Sequence, residues 1–349
     1  MARICSDLRE CAEHIRNGEL VSFPTETVYG LGANALDEQA ILKIFHAKQR
    51  PLTDPVIVHV ASQEDAVSLI DEDDSIEAVY SYLCCMFWPG PLTLVAKAAP
   101  EVSPLLTANS GFVGIRSPSH PIALDLIKEA GTPIAAPSAN MFSHVSPTCA
   151  NHVINDFASS EFSIKVLDGG KCSFGIESTV AKLFKLEDRL VVMILRKGGV
   201  SRSALTQALV DFNVDVLDKE QFLEEHCGAE APGQLIKHYS PAIDAFILSD
   251  SKGSEEVCSL EQVVIIDFQG RLSDYECIHR KDLSPEGKVT EAINNLYETL
   301  RWSEDKGAKC VLLPDLSKET DEFTPALFDR VFRATSGRRA NIVNNKVYV

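Results

Sequence analysis

Apolar positions along the first two hundred residues switch between helical spacing and short continuous runs. After Ser6, which suits an N-cap, Leu8, Cys11, Ala12 and Ile15 recur at helical intervals and Gly18 stands where a helix should stop. LVSF is an apolar run closed by Pro24, the mark of a strand running into a loop. A second helix opens near Asp37, carries Ala40, Ile41, Ile44 and Phe45 on one face, and delivers Lys48 at its end. The turn RPLTDP then leads into the β-branched strand VIVHV. The alternation continues through a helix before Trp88, strands LTLVAKA and FVGIR, a helix after Pro121, strands PIAAP, STVAKLF and LVVMIL, and a helix opening at Ser201. Because strands and helices interleave without strict β-α-β order, residues 1–205 predict an α/β domain built on a mixed, twisted sheet.

From about Thr206 to Ala242 the pattern weakens into acidic, glycine-containing segments that end in APGQLIKHYSP. That stretch, 206–242, is too long for a tight turn and reads as a functional linker or lid. Beyond it AFIL, VVIIDF and CVLLPD have the character of buried parallel strands, with helices around 284–304 and 324–336. Residues 243–349 therefore predict a smaller, open-sheet α/β domain of Rossmann-like kind. No internal repeat is visible.

Composition narrows the class. A chain of 349 residues exceeds the size at which one core keeps growing, so two domains are expected. Hydrophobic residues at 45% and charged residues at 24% fit a globular protein rather than a long disordered one. The 50 acidic against 33 basic residues leave a formal charge of −17, so any polyanion must be drawn to a local basic cleft. Ten scattered cysteines without a CxxC pair suit reduced thiols rather than a disulfide framework or a zinc site. The N-terminal segment lacks the apolar stretch of a secretory signal and no run approaches membrane-spanning length, so a cytoplasmic location without membrane contact is expected.

Neither GxGxxG nor GxxxxGK[ST] occurs, and GxSxG and HExxH are absent too, so nucleotide chemistry must rest on another arrangement. Polar and basic residues instead cluster where strands give way to loops. In FPTETVYGLGANA, Thr25, Glu26 and Thr27 follow a strand and a proline, while Gly30 and Gly32 permit close backbone approach by a ligand. Lys48 and Arg50, two apart, would project to one side of an extended segment and grip neighbouring phosphates. A solvated pair at a helix C-terminus is the plainer alternative. Arg116 ends FVGIR, Ser138 and Asn140 lie in PIAAPSAN, and Arg196 closes LVVMIL. Ser146, Pro147 and Thr148 look like the opening of a helix, which serves either as an ordinary cap or as an anion site.

FPTETVYGLGANA, Lys48-x-Arg50, Ser138-x-Asn140 and Ser146-Pro147-Thr148, in that order, resemble the YrdC/Sua threonylcarbamoyl-AMP synthases. The likeness runs to about Ser203, and HYSP with the C-terminal α/β domain matches the longer Sua-type members. The resemblance implies a nucleotidyltransferase that joins L-threonine, bicarbonate and ATP into threonylcarbamoyl-AMP, releasing pyrophosphate, for threonylcarbamoyladenosine modification of tRNA. It also implies that Thr25, His59, Arg116, Ala136 and Ser178 surround L-threonine. ATP would meet Lys48, Arg50, Leu52, the backbone near Phe112, Ser138, Asn140, Ser146 and Arg196, with Tyr239 closing over it and Lys48 and Arg50 as the catalytic cations. Magnesium would arrive with ATP rather than on protein side chains, and the product would pass to a threonylcarbamoyl transferase complex, with tRNA contact an open partner. Where the family usually reads KGRPxxxP, Gln49 and Leu52 stand here, so a hydroxyl contact at position 52 is lost or becomes a backbone contact. Phe142 and Ser143 replace a usual Ser-Gly pair, and Lys197 stands where proline is common.

The chemistry accounts for the cations: a carbamate oxygen attacks the α-phosphate, and charge gathers on phosphate oxygens in the transition state. The alternatives are a non-catalytic RNA-binding module, which the −17 charge disfavours, and carbamoyl-AMP formation, disfavoured by the missing CxxC pairs.

Overall fold

The computed structural model describes residues 1–219, 232, 238–249 and 253–349. The chain divides into two compact units, Met1–Phe142 with Pro147–Ser173 and Glu177–Gln234, and Ser143–Ser146 with Phe174–Ile176 and Leu235–Val349.

The first unit contains strands β1 (Ala2–Ile4), β2 (Leu20–Phe23), β3 (Gly30–Asn34), β4 (Val58–His59), β5 (Leu92–Lys97), β6 (Phe112–Arg116), β7 (Ile134–Ala135), β8 (Ile164–Val166), β9 (Thr179–Leu186), β10 (Arg189–Arg196) and β11 (Val214–Asp218). Its helices are α1 (Leu8–Arg16), α2 (Glu38–Lys48), α3 (Gln63–Val67), α4 (Asp74–Phe87), α5 (Pro104–Thr107), α6 (Pro121–Ala130), α7 (Ala150–Asp156) and α8 (Arg202–Ala208). The strands join in one mixed sheet, ordered β1-β8-β2-β3-β7-β4-β6-β5-β9-β10-β11. The expected mixed sheet is therefore present, and β11, parallel to β10, extends it into the stretch read from sequence as linker.

Alternation along the central strands decides what each face does. Val58, Leu94, Val113, Ile115, Ala181 and Leu183 point into one large core shared with α2 and α4. Their neighbours in sequence point the other way. At the β2–β3–β7 end that second face is covered by Cys11, Ile15, Leu126 and Ile127 of α1 and α6. At β4, β6, β5 and β9 it carries His59, Arg116, Phe112, Val95, Val180 and Lys182.

Several local expectations are corrected. Asp7, not Ser6, caps α1, because its carboxylate accepts from the amides of Arg9 and Glu10. VIVHV contracts to the two residues of β4, although Val56 and Val60 still bond to Leu106 and Arg116 carbonyls. The helix expected at Ser146 begins only at Ala150, with Cys149 at its cap making no side-chain bond. Gly30 and Gly32 do not open backbone to a ligand: a Cβ on Gly32 would lie 2.7 Å from both Ile134 Cγ2 and Phe23 Cε1. These glycines let β3 press against buried side chains of its own sheet.

In the second unit, β12 (Asp244–Leu248), β13 (Glu256–Ser259), β14 (Val263–Asp267), β15 (His279–Asp282), β16 (Cys310–Leu313), β17 (Arg339–Val343) and β18 (Lys346–Tyr348) form a sheet ordered β13-β18-β17-β12-β16-β14-β15. The three runs read as parallel strands, β12, β16 and β14, are parallel neighbours. Helices α9 (Val289–Glu304) and α10 (Thr324–Ala334) occupy the two helical stretches expected there. Among the described residues no helix is long and apolar enough to cross a membrane.

Candidate functional site

The first cluster lies on the first unit's sheet at β4 and β6, where the pairing register assembles it. Parallel pairing of β4 with β6 sets His59 beside Arg116, and antiparallel pairing of β4 with β7 sets it beside Ile134. Arg116 is buried and anchored on three sides: Nη2 lies 2.6 Å from Glu26 Oε1, Nη1 donates to Thr27 Oγ1 at 2.9 Å, and Nε donates to the Gly90 carbonyl at 3.1 Å. Glu26 also accepts from the Ser119 amide. Thr25 shapes the loop that offers Glu26 and Thr27, since its hydroxyl donates to the Val28 carbonyl and accepts from the amides of Thr27 and Val28. Thr25 therefore organises a tight hydroxyl-centred turn. Ala136, buried, is pinned through its amide to the Ile57 carbonyl.

His59 is buried against the edge of the Phe23 ring, with centroids 5.8 Å apart. Burial, reinforced by the neighbouring Arg116 charge, pushes its imidazole down to about 3, so the ring is neutral at physiological pH.

The second cluster is cationic. Lys48, 1% exposed, donates from Nζ to the Ser138 carbonyl at 2.6 Å and to the Asn140 carbonyl. Arg50 donates to the carbonyls of Asp54 (3.2 Å) and Pro55 (2.7 Å), and its Nη2 lies 3.0 Å from Asp54 Oδ2. Arg196 reaches Ser178 twice, through the backbone carbonyl and through Oγ, each at 3.1 Å. Ser178 in turn bonds Thr93 Oγ1 at 2.8 Å, so β5, β9 and β10 are tied together at this point. The buried Asp54 carboxyl lies within the fields of Arg50, Lys48 and Arg196, which pull its pKa down; burial outweighs them and raises it. Arg50 pairs with Asp54 directly, while Lys48, two residues before Arg50, and Arg196 act on the carboxyl through their fields.

The geometry differs from the sequence reading in how Lys48 and Arg50 are presented. Lys48 closes α2, and Gln49 turns the chain through a left-handed conformation at φ 54°, so the two do not project from one extended segment. Gln49 occupies, at some steric cost, a conformation that glycine adopts freely. Leu52 is half exposed, at 50%. Phe112 is half buried, with the Lys182 ammonium 3.5 Å from its ring centroid, and its amide is taken by Ser110 Oγ. Ser138 and Asn140 meet Lys48 through their carbonyls, and the Asn140 side chain donates to the Met141 carbonyl.

Ser146 and Tyr239 belong to the second unit. Tyr239 is buried there, its ring stacked on Tyr297 at 5.6 Å and covered by the Arg330 guanidinium at 5.0 Å. It is thereby packed within that unit, and residues 220–231 and 233–237 of the stretch read as linker or lid lie outside the described residues. Sequence reading did not single out Asp54, Thr93 or Lys182. The signal for Asp54 was available as an acid four residues after Arg50 in RPLTDP, whereas the other two needed the register.

Residues 13–198 match the Sua5/YciO/YrdC family model, which carries the description telomere recombination, and residues 200–336 match the model of the threonylcarbamoyl-AMP synthase C-terminal domain. A threonylcarbamoyl-AMP synthase of Pyrococcus abyssi is 40% identical over 316 residues, 87% of each chain. One of Bacillus subtilis is 34% identical over 340 residues, covering 95% of this chain and 93% of its own. The crystal structure of P. abyssi Sua5 complexed with L-threonine superposes with a TM-score of 0.81 at 31% identity, covering 98% of this chain and all of the other.

Proposed function

This chain belongs to the Sua5/YciO/YrdC family, and we propose that it is a nucleotidyltransferase making threonylcarbamoyl-AMP from L-threonine, bicarbonate and ATP for threonylcarbamoyladenosine modification of tRNA. The observation that supports this reading is the set of buried cations in the first unit: Lys48 held by the Ser138 and Asn140 carbonyls, Arg50 paired with buried Asp54, Arg196 on Ser178, and Arg116 on Glu26.

Threonine's amine condenses with bicarbonate, losing water, to give a carbamate. A carbamate oxygen then bonds to the α-phosphorus of ATP while the bond to the β-phosphate oxygen breaks and pyrophosphate leaves. No step needs a nucleophilic side chain. The protein's contribution is fixed positive charge at phosphate oxygens, which acts most strongly where water is excluded. Lys48, Arg50 and Arg196 are buried and held by carbonyls, so little reorganisation is required when charge develops. Arg116, anchored by Glu26, Thr27 and Gly90, has further N–H capacity to receive the threonine carboxylate in the fork that lysine lacks. In this reading Thr25, neutral His59, Ala136 and Ser178 serve L-threonine, and Ser138, Asn140, Leu52 and the Phe112 backbone of the same unit serve ATP. Magnesium would enter as part of the ATP complex: Asp54 and Glu26 are each paired with an arginine, which favours phosphate oxygens as the metal's ligands. The adenylate is a reactive mixed anhydride, which calls for transfer to a threonylcarbamoyl transferase complex in the cytoplasm, with tRNA as the final acceptor.

Replacing Lys48 by alanine tests the reading. It should lower kcat/KM for pyrophosphate release by about 2–4 kcal/mol of transition-state stabilisation, the scale for losing one preorganised donor. Activity within twofold of wild type would remove Lys48 from the chemistry.

A further inference from the structure

Asp54 is an unusual tenant of a site meant for polyphosphate. Asp54 is 6% exposed and its Oδ2 lies 3.0 Å from Arg50 Nη2, which also donates to the Pro55 carbonyl, yet among the described residues no well-directed hydrogen bond reaches Oδ2. It is therefore held by charge rather than by geometry, a contact that an incoming anion can supersede. Among the described residues the charges acting on it are Arg50 of its own loop, in contact, and Lys48 at the end of α2 and Arg196 at the end of β10, through their fields. Three buried cations with no anion among them would repel one another at short range. A bound pyrophosphate facing them uncompensated would also leave slowly.

We propose that Asp54 is the built-in counter-anion of the phosphate site: it balances the cation cluster when no nucleotide is bound and limits how tightly ATP and pyrophosphate are held. The inference rests on the functional reading above and deepens it by assigning a positioning residue to the phosphate subsite. Polyphosphate charge arriving beside Asp54 favours its protonated form, so binding takes up a proton there. Burial already biases the carboxyl in that direction.

Calorimetric titration of the full chain with MgATP and with magnesium pyrophosphate, comparing wild type with Asp54→Asn, decides the matter. The variant should bind both ligands roughly tenfold more tightly at mildly alkaline pH, the scale expected for removing one nearby charge in a partly screened site. The gap should close as pH falls, because protonated aspartic acid is as neutral as asparagine. Unchanged or weaker binding by a variant that melts like wild type overturns the proposal. If Asp54→Asn does not fold, Asp54→Ser is held to the same comparison. A wild-type chain that binds neither ligand defeats the functional reading and this inference together, whereas wild-type binding without tightening defeats the inference alone.

Discussion

His59 shows how far a single side chain can be read. In VIVHV it reads first as a packed strand histidine, and only the family resemblance makes it a ligand contact; the structure buries it against Phe23 beside the Arg116 charge. Its folded pKa, about 3, lies below the ordinary 6.5, so the unfolded chain binds the extra proton between those values. The stability this residue supports is present above the unfolded value and is lost as pH falls from there toward the folded one. The His59 imidazole NMR signals should accordingly stay at their neutral positions through mildly acid pH; a midpoint near the ordinary histidine value would contradict the burial assigned here. Glu26 and Arg116 carry the same lesson with opposite sign. Each is a buried charge whose cost is offset only by the other and by the Thr27, Gly90 and Ser119 contacts.

At the scale of elements, the start of α1 gives a clean discrimination. Asp7 accepts two first-turn amides, at 2.9 and 3.2 Å. Asp7→Ala should therefore cost about 1 kcal/mol in urea unfolding, while Ser6→Ala should stay within about 0.5 kcal/mol. Equal effects would return the cap to Ser6. Both residues are ordinary cap formers, and only the backbone path distinguishes them. What the sequence made legible follows the same logic. Runs buried on both faces, such as Val263–Asp267 and Cys310–Leu313, announce themselves as strands, and α2 is marked by its cap and apolar stripe. Three-residue strands such as Ala2–Ile4 and Ile164–Val166 are stabilised by pairing across more than a hundred and fifty residues, which no local window contains. His279–Asp282 is a polar edge strand and reads locally as loop. Arg339–Val343 and Lys346–Tyr348 had a usable signal, the Asn344-Asn345 turn with both φ positive, that went unread. Within the site, Lys48, Arg50, Arg116 and Arg196 stood out by residue type and ordered motif. Thr93 and Lys182 did not, because they gain meaning only once register brings them into contact, whereas Asp54 stands four residues after Arg50 in RPLTDP.

At the scale of the whole molecule, an acidic chain of net charge −17 holds Lys48, Arg50, Arg116 and Arg196 buried in the first unit instead of displaying them. Such placement keeps their field focused on one site and leaves the outer surface repellent to other polyanions. The second unit is a separate, mostly parallel sheet with its own buried aromatic–cation cluster of Tyr239, Tyr297 and Arg330. The account stands on the claim that the buried cations act on a single triphosphate while threonine's carbamate attacks it. Pyrophosphate release by the purified full chain, supplied with MgATP, tests that claim most directly. Release should require both L-threonine and bicarbonate and be matched mole for mole by threonylcarbamoyl-AMP; no release from folded protein, or release indifferent to threonine, would contradict it.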